Sequence, residues 1–263
     1  THLGLRPGER RKQIRRLQLP GIFFEDASAR YYPHDALMCH VIGFSNMEGV
    51  GSSGVEQKMD RYLKGRPGFR VSEKDGRRHE VYIRRSLEIA PQAGGDVYLT
   101  LDQNIQYIVE KALDSAMLEH QAKGAWAIVE RVGTGEILAL ACRPAYDLNE
   151  FRATTPENML NRSIGYVYEP GSTFKIAVIA AALNEETVSQ DVVFDCENGC
   201  WFYRGRPLRD YHPYGRLSVA DVLKKSSNIG AAKIAMTMNP ARFEKYLRDF
   251  GLGRATGIEL PGE

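Results

Sequence analysis

Apolar residues recur at helical spacing through the last two thirds of the chain. Between residues 103 and 118 they fall on one face, and Asp102 precedes them as a helix N-cap. The same spacing predicts further helices at 173–184, 218–225, 229–238 and 241–250. Because the run Ile176–Leu183 is apolar on every side, we expect the helix that carries it to be buried.

Shorter apolar runs predict strands. Residues 126–132 and 136–142 are separated by Gly133-Thr134-Gly135, which is typical of a β-hairpin. A further short strand is predicted at 97–101. A hairpin followed by a cluster of helices favours an α+β domain, with an antiparallel sheet flanked by helices, over alternating parallel βαβ units.

The first third of the chain has a different character. It is basic and rich in turns, with short strand-like pieces at 40–44 and 80–83. We interpret it as a small β-rich domain with a solvated, charged face, and the alternative is a surface that meets acidic polymers or lipid head groups. Pro91 and the pair Gly94-Gly95 mark a change of composition, so we predict two domains, at 1–93 and 94–263.

Composition sets only broad bounds. The 263 residues, of which 43% are hydrophobic and 26% are charged, suit two ordinary globular domains. The net charge of +2 gives no reason to expect a nucleic-acid partner. The longest uninterrupted apolar run, Ile176–Leu183, is too short to span a membrane. Since the chain starts at Thr1 without an initiator methionine, we expect it to be cut from a longer protein.

The strongest chemical signal lies at the start of the predicted helix 173–184. Pro170 and Gly171 end an extended segment, and Ser172 and Lys175 then lie one helical turn apart on the same face. Burial lowers the pKa of a lysine, and a neutral lysine could take the proton of the serine hydroxyl and make it a nucleophile. In the alternative reading Ser172 only caps the helix and Lys175 extends to the surface.

A second motif follows in the loop between two predicted helices. Ser226 and Asn228 are placed there to point into a cleft, where a hydroxyl could relay a proton and an amide could hold a substrate carbonyl and N–H. The simpler interpretation is that Ser227 or Asn228 caps the next helix, and this is compatible with catalysis.

Ser-x-x-Lys followed by Ser-x-Asn resembles the penicillin-recognising serine acyltransferases. Nearly the whole chain resembles a class B penicillin-binding protein. Within that class it looks most like the septal, cell-division branch, with sporulation relatives close by. The residues that carry this resemblance in the second domain are Leu99–Gln106, Thr134–Ala139, Asn161–Ser163, Tyr168–Lys175, Lys225–Gly230 and Phe250–Gly253. Those in the first are Arg30–Pro33, His40–Phe44, Gly54–Glu56 and Leu63–Gly68, which match the non-catalytic pedestal of the class, its dimerisation-type domain.

The resemblance implies a peptidoglycan transpeptidase that needs no cofactor or metal. Ser172 would be the nucleophile that forms an acyl-enzyme from a stem peptide ending in D-Ala-D-Ala, and Lys175 would be the general base. Ser226 would shuttle the proton and, with Asn228, bind the substrate. β-Lactams would acylate Ser172. Division-complex membrane proteins, including a glycosyltransferase, would be partners. The two domains would face the periplasm, anchored in the inner membrane by an N-terminal segment absent from this sequence.

One departure from the family pattern is large. The third motif of the family, Lys-Thr-Gly or Lys-Ser-Gly, should lie far beyond Ser226, but no such motif precedes Glu263. We therefore expect only the first part of the transpeptidase domain, and little or no turnover from these residues alone. The alternative functions are a DD-carboxypeptidase, a relative that hydrolyses or senses β-lactams, and a non-catalytic division scaffold.

Two further patterns have weaker interpretations. Gly49–Gly54 reads G-x-G-x-x-G, but no βαβ unit surrounds it, so we expect turn glycines and no nucleotide site. Cys196 and Cys200 lack paired histidines and do not predict a zinc site. Outside the cytoplasm these cysteines could form a disulfide or remain free thiols, and both alternatives stay open.

Overall fold

A computed structural model of the protein describes residues 7–19, 22, 30–71 and 87–263. It divides into two compact units. The first consists of Thr1–Leu99 and Ala145–Thr154, and the second of Thr100–Pro144 and Thr155–Glu263. The division falls between Leu99 and Thr100, and the chain re-enters the first unit once. The domain limits 1–93 and 94–263 remain a prediction.

The described part of the first unit consists of short helices and one small sheet. The helices are α1 (Pro7–Arg16), α2 (Cys39–Ile42), α3 (Gly54–Lys58) and α4 (Asp60–Leu63). Strand β1 (Phe69–Val71) pairs antiparallel with β2 (Leu87–Ile89). The strand-like prediction at 40–44 is wrong, because α2 occupies most of it. Cys39, His40 and Val41 are all buried, and a short run that is buried on every side has no periodicity to distinguish helix from strand. The predicted piece 80–83 lies outside the described residues.

Residues 145–154 complete the core of the first unit. Asn149 bonds both backbone groups of Tyr32, accepting from its N–H at 3.0 Å and donating to its carbonyl at 2.8 Å. The ring of Phe151 stacks on Phe44 with centroids 4.0 Å apart. The hydroxyl of Tyr146 donates to the carbonyl of Cys39 at 3.3 Å, and burial raises the pKa of Tyr146 to about 12. This segment therefore belongs to the first unit through side-chain packing that its sequence position does not reveal.

The glycines of the G-x-G-x-x-G pattern allow close approach of backbone segments. A Cβ on Gly54, whose φ is +56°, would lie 2.4 Å from the carbonyl oxygen of Val41. A Cβ on Gly51 would lie 1.8 Å from the carbonyl oxygen of Glu56. Only glycine tolerates such contacts, and these positions agree with the interpretation of turn glycines.

The second unit begins with a helix packed on a β-hairpin. Helix α5 (Gln103–His120) is capped by Asp102, as predicted. Strands β3 (Ala125–Glu130) and β4 (Ile137–Arg143) form the predicted antiparallel hairpin. The predicted strand at 97–101 is wrong. Thr100 Oγ1 donates to Ile137 O of β4 at 2.6 Å, and the next-but-one residue, Asp102, donates its N–H to Leu138 O at 2.9 Å, but these two bonds make no ladder.

Helices and short antiparallel strand pairs form the rest of the second unit. The helices are α6 (Pro156–Met159), α7 (Arg162–Gly165), α8 (Lys175–Asn184), α9 (Val219–Lys225), α10 (Asn228–Ala235) and α11 (Pro240–Asp249). Strand β5 (Val193–Asp195) pairs with β8 (Arg216–Ser218), and β6 (Cys200–Tyr203) pairs with β7 (Arg206–Arg209). The α+β prediction is confirmed.

The core of this part lies between α8, α9 and α10. It is built from thirteen buried residues: Val178, Ile179, Ala181, Ala182, Val188, Cys196, Leu217, Val219, Val222, Ile229, Ala231, Ile234 and Met238. The prediction that α8 is buried on every side is wrong, because Ile176 is 58% exposed and Leu183 is 39% exposed. One face of α8 packs in the core and the other carries apolar side chains at the surface.

Within the part of the chain that the structure describes, no helix has the length and apolar character needed to cross a membrane. The same residues contain no group of histidine, cysteine, aspartate and glutamate side chains arranged to hold a metal ion. Cys196 and Cys200 do not form a disulfide with each other in this structure.

Candidate active site

Ser172 lies in a single 3-10 turn, Gly171–Phe174, that continues directly into α8. Gly171 has a φ of +57°, which lets the chain turn sharply before the serine. The hydroxyl of Thr173 donates to the carbonyl of Pro170 at 2.6 Å and holds this turn. Ser172 is exposed, so its hydroxyl is accessible to a substrate.

Lys175 is the first residue of α8 and is only 9% exposed. Its Nζ donates to Ser172 Oγ at 3.2 Å, to Ser226 Oγ at 3.0 Å and to the backbone carbonyl of Ser226 at 2.5 Å. No side chain caps the 3-10 turn or α8. The alternative in which Ser172 caps the helix and Lys175 extends to the surface is therefore wrong.

The surroundings of Lys175 shift its pKa toward easier loss of the proton. Burial lowers the pKa of Lys175, and the negative charge of Asp210 acts in the opposite direction. Among the described residues, no carboxylate lies within ion-pair distance of its Nζ. As an ammonium, Lys175 uses its three N–H bonds on the two hydroxyls and the carbonyl. Once it loses one proton, its lone pair can accept the proton of Ser172.

Ser226 joins α9 to α10. It follows Lys225, the last residue of α9, and adopts a left-handed conformation with φ 56° and ψ 40°. Ser227 is fully buried and caps α10, its Oγ accepting from the N–H of Gly230 at 2.9 Å. The capping interpretation is therefore confirmed for Ser227, and the turn leaves Ser226 exposed above Lys175.

Asn228 is the first residue of α10 and is exposed. Its Nδ2 donates to the carbonyl of Arg209 at the end of β7, at 2.8 Å. The structure thus brings Ser172, Lys175 and Ser226 into direct hydrogen-bond contact. Asn228 lies two residues after Ser226, at the start of α10, and its side-chain amide is oriented by the bond to the last residue of β7.

Sequence reasoning missed Asp210, which directly follows β7. Its carboxylate accepts from the hydroxyl of Ser227 and from the N–H groups of Asn228 and Ile229. Nothing in the local sequence marks this aspartate, because the partners of its carboxylate lie 17 to 19 residues later in the chain. Only the packing of the β6–β7 hairpin against α10 shows it.

Comparison with known proteins identifies both parts of the chain. Residues 125–263 match the penicillin-binding protein transpeptidase domain, and residues 9–99 match the penicillin-binding protein dimerisation domain. The peptidoglycan D,D-transpeptidase FtsI of Escherichia coli (strain K12) is 38% identical over 251 residues, covering 95% of this chain and 42% of that protein. The chain therefore spans about two fifths of the length of such a curated relative.

Solved structures agree with this match. A peptidoglycan synthetase from Bifidobacterium adolescentis superposes with a TM-score of 0.77 at 28% identity, over 98% of this chain and 47% of that one. Penicillin binding protein 3 from Mycobacterium tuberculosis, complexed with aztreonam, gives a TM-score of 0.74 at 29% identity, over 89% and 49% of the two chains. With both domain matches, this chain belongs to the penicillin-binding proteins, as an FtsI-like member of class B whose dimerisation domain precedes its transpeptidase domain.

Proposed function

We propose that this chain is part of a peptidoglycan D,D-transpeptidase that cross-links stem peptides through an acyl-enzyme on Ser172. One observation carries the proposal: the buried Nζ of Lys175 lies within hydrogen-bond distance of both Ser172 Oγ and Ser226 Oγ. A base in contact with a nucleophile and with a second hydroxyl is the arrangement that serine acyl transfer needs.

In the first step neutral Lys175 takes the proton of Ser172 while Oγ attacks the carbonyl carbon of the penultimate D-Ala. The tetrahedral intermediate then collapses and the C–N bond to the terminal D-Ala breaks. The leaving nitrogen receives a proton from Ser226, which regains one from the Lys175 ammonium. An ester on Ser172, neutral Lys175 and free D-Ala remain.

The second step reverses these roles. The amine of a neighbouring stem peptide attacks the ester carbonyl, and Lys175 with Ser226 accepts its proton. The Ser172 C–O bond breaks, and the serine oxygen recovers a proton from the lysine. The cross-link forms and the starting protonation state returns, so no cofactor enters the cycle.

Asn228 is proposed to orient the donor peptide. Its side chain is exposed beside Ser226, and its bond to the carbonyl of Arg209 fixes the direction of the amide. An oriented amide offers both a donor and an acceptor to a peptide backbone, which a hydroxyl alone cannot align.

The partners and the location are proposed by analogy with the family. We propose that a stem peptide ending in D-Ala-D-Ala is the substrate and that β-lactams acylate Ser172; the related Mycobacterium tuberculosis protein complexed with aztreonam supports the second point. We also propose that the protein works in septal wall synthesis beside membrane proteins of the division complex, including a glycosyltransferase. Both domains would face the periplasm, with an anchor in the inner membrane.

Labelling with a fluorescent penicillin tests this proposal. The full-length protein as its gene encodes it should form a covalent adduct, and Ser172→Ala should abolish it because the attacking oxygen is gone. Ser115→Ala is the matched control. Ser115 is exposed on α5, and among the described residues its hydroxyl bonds only the carbonyl of Lys111 at 3.1 Å. The variant should therefore label like the wild type.

The same assay separates the other functions. An adduct that is stable over the experiment agrees with a transpeptidase, whereas release within minutes would favour a carboxypeptidase or a β-lactam hydrolase. Equal labelling of the wild type and Ser172→Ala, or no labelling of either, would refute the acyl-enzyme and leave the non-catalytic scaffold.

A further inference from the structure

Asp210 connects the β6–β7 hairpin to the turn that carries Ser226. Its own N–H donates to the carbonyl of Gly199 at 3.1 Å, which fixes the residue at the base of the hairpin. Its Oδ2 accepts from Ser227 Oγ at 2.6 Å. Its Oδ1 accepts from the N–H of Asn228 at 2.5 Å and of Ile229 at 3.0 Å. One carboxylate thus bonds the N-cap residue of α10 and the first two residues of that helix.

These bonds lead directly to the catalytic lysine. Ser227 is fully buried, and Asp210 and the N–H of Gly230 both bond its hydroxyl, so the residue cannot rotate without losing two hydrogen bonds. The preceding residue, Ser226, gives Lys175 both its carbonyl and its hydroxyl. The position of the Ser226 carbonyl and hydroxyl relative to Lys175 Nζ therefore depends on the hydrogen bonds that hold Ser227.

A second aspartate in the same unit shows what helix capping alone looks like. Asp102 caps α5, and one of its oxygens accepts from the N–H of Asn104 at 2.8 Å and of Ile105 at 3.0 Å. Asp102 precedes its own helix directly, and its described side-chain partners are those two amides. Asp210 also bonds two amides of a first helical turn, but it comes from a distant hairpin and adds a buried hydroxyl next to Ser226.

We propose that Asp210 is a positioning residue for acyl transfer: through Ser227 and the first amides of α10 it holds Ser226 where Lys175 can reach both its carbonyl and its hydroxyl. This inference rests on the proposed function, since it concerns the rate at which Ser172 is acylated. A misplacement of reacting groups by about 1 Å can lower a rate by about 100-fold.

The charge of Asp210 gives a readout that a purely structural role would not move. Burial lowers the pKa of Lys175, and the negative charge of Asp210 acts in the opposite direction and raises it. Removing the charge while keeping the shape should lower the lysine pKa further. The acid limb of the acylation profile would then move to lower pH.

Three variants of the full-length protein test the proposal, with the second-order acylation rate by fluorescent penicillin measured across pH. Asp210→Ala removes the three side-chain hydrogen bonds and should slow acylation per folded molecule by roughly 10- to 100-fold. Asp210→Asn keeps an oxygen for the two amides, so it should recover most of the rate but shift the acid limb to lower pH. Asp102→Ala, the matched control, should lower the melting temperature and leave the acylation rate of the folded protein unchanged.

The outcomes separate this inference from the proposed function. If the wild type labels and Ser172→Ala does not, but Asp210→Ala keeps the wild-type rate, the positioning role is wrong and the acyl-enzyme stands. If neither the wild type nor Ser172→Ala labels, the proposed function fails and this inference falls with it. Should Asp210→Ala fail to fold, Ser227→Ala decides, because it removes the hydroxyl through which Asp210 Oδ2 holds the residue next to Ser226. Acylation slowed by about 10-fold or more supports the role, and the wild-type rate overturns it.

Discussion

The second unit buries two cationic side chains to almost the same degree, but surrounds them in opposite ways. Arg143 at the end of β4 is 7% exposed, and Lys175 at the start of α8 is 9% exposed. Arg143 meets two carboxylates, whereas the described partners of Lys175 are two hydroxyls and a carbonyl. Burial by itself therefore does not say which cation has a chemical role.

Arg143 is held as a permanent charge that docks α5 on β4. Its Nε lies 2.5 Å from Asp114 Oδ1, and its Nη2 lies 3.2 Å from Glu110 Oε2. Burial opposes the charge, but the two carboxylates outweigh it and keep the pKa of Arg143 raised. The hydrogen bond from Arg143 also lowers the pKa of Asp114. Nearby, buried Gln106 bonds both backbone groups of Leu140 and strengthens the same contact.

Lys175 is held so that it can lose its charge. Its burial is not balanced by a contacting carboxylate among the described residues, and its pKa is lowered. A cation with matched counter-charges serves the fold, and a cation desolvated beside a hydroxyl can serve as a base. The following predictions test this contrast, from the largest expected effect to the smallest.

Lys175→Met should slow the acylation of Ser172 by roughly 10²- to 10⁴-fold, the usual contribution of a general base. The melting temperature should not fall, because methionine fills the site without the cost of desolvating a charge. A time course of labelling with a fluorescent penicillin measures the acylation rate, and a thermal melt measures the melting temperature. A wild-type labelling rate in this variant would show that Lys175 is structural like Arg143.

Arg143→Met should lower the free energy of unfolding by about 3–5 kcal/mol, because it leaves the buried carboxylate of Glu110 without the guanidinium. Urea denaturation measures this loss. The molecules that remain folded should label at the wild-type rate, since Arg143 touches none of Ser172, Lys175 and Ser226. A loss below about 1 kcal/mol, typical of exposed pairs, would mean that the contrast with Lys175 is overstated.

Of the two buried cations, only Lys175 should affect how the acylation rate and the stability depend on pH. In the proposed mechanism acylation needs neutral Lys175. The rate should therefore rise with pH and level off below the ordinary lysine pKa of about 10.4, because burial lowers the pKa. The unfolded chain holds this proton more tightly than the folded chain. Stability should therefore increase as the pH rises from the folded to the unfolded pKa of Lys175.

This gain in stability should be absent from Lys175→Met and present in Arg143→Met if that variant folds. Rate profiles and melting temperatures over the same pH series give both readouts. A rate that still rises above the ordinary lysine pKa would contradict a lowered pKa for Lys175.

Local sequence predicted the elements whose pattern is long or whose ends are marked. The spacing of apolar residues and the Asp102 cap placed α5, and Gly133-Thr134-Gly135 placed the β3–β4 hairpin. Predictions from short apolar runs were wrong where tertiary contacts decide the conformation. Residues 40–44 are an example, because most of them belong to helix α2. The pairing of β5 with β8 was not predicted, because three-residue strands have almost no periodicity of their own.

The candidate site divides in the same way. Ser172 and Lys175 are three residues apart, so helical geometry alone brings them onto one face, and the sequence was sufficient to predict that they meet. The contact of Lys175 with Ser226 spans 51 residues and depends on the packing of α8 against α9 and α10. The role of Asp210 depends on a hairpin that no local pattern indicated.

The sequence by itself determined which residues have the side chains for the proposed chemistry, because the proposed nucleophile, base and hydroxyl relay were identified from side-chain type and short spacing. Tertiary structure decided the surroundings that shift the pKa of Lys175. Whether a lysine is solvated, paired like Arg143 or desolvated like Lys175 depends on the groups that folding brings around it, and these come from distant parts of the chain.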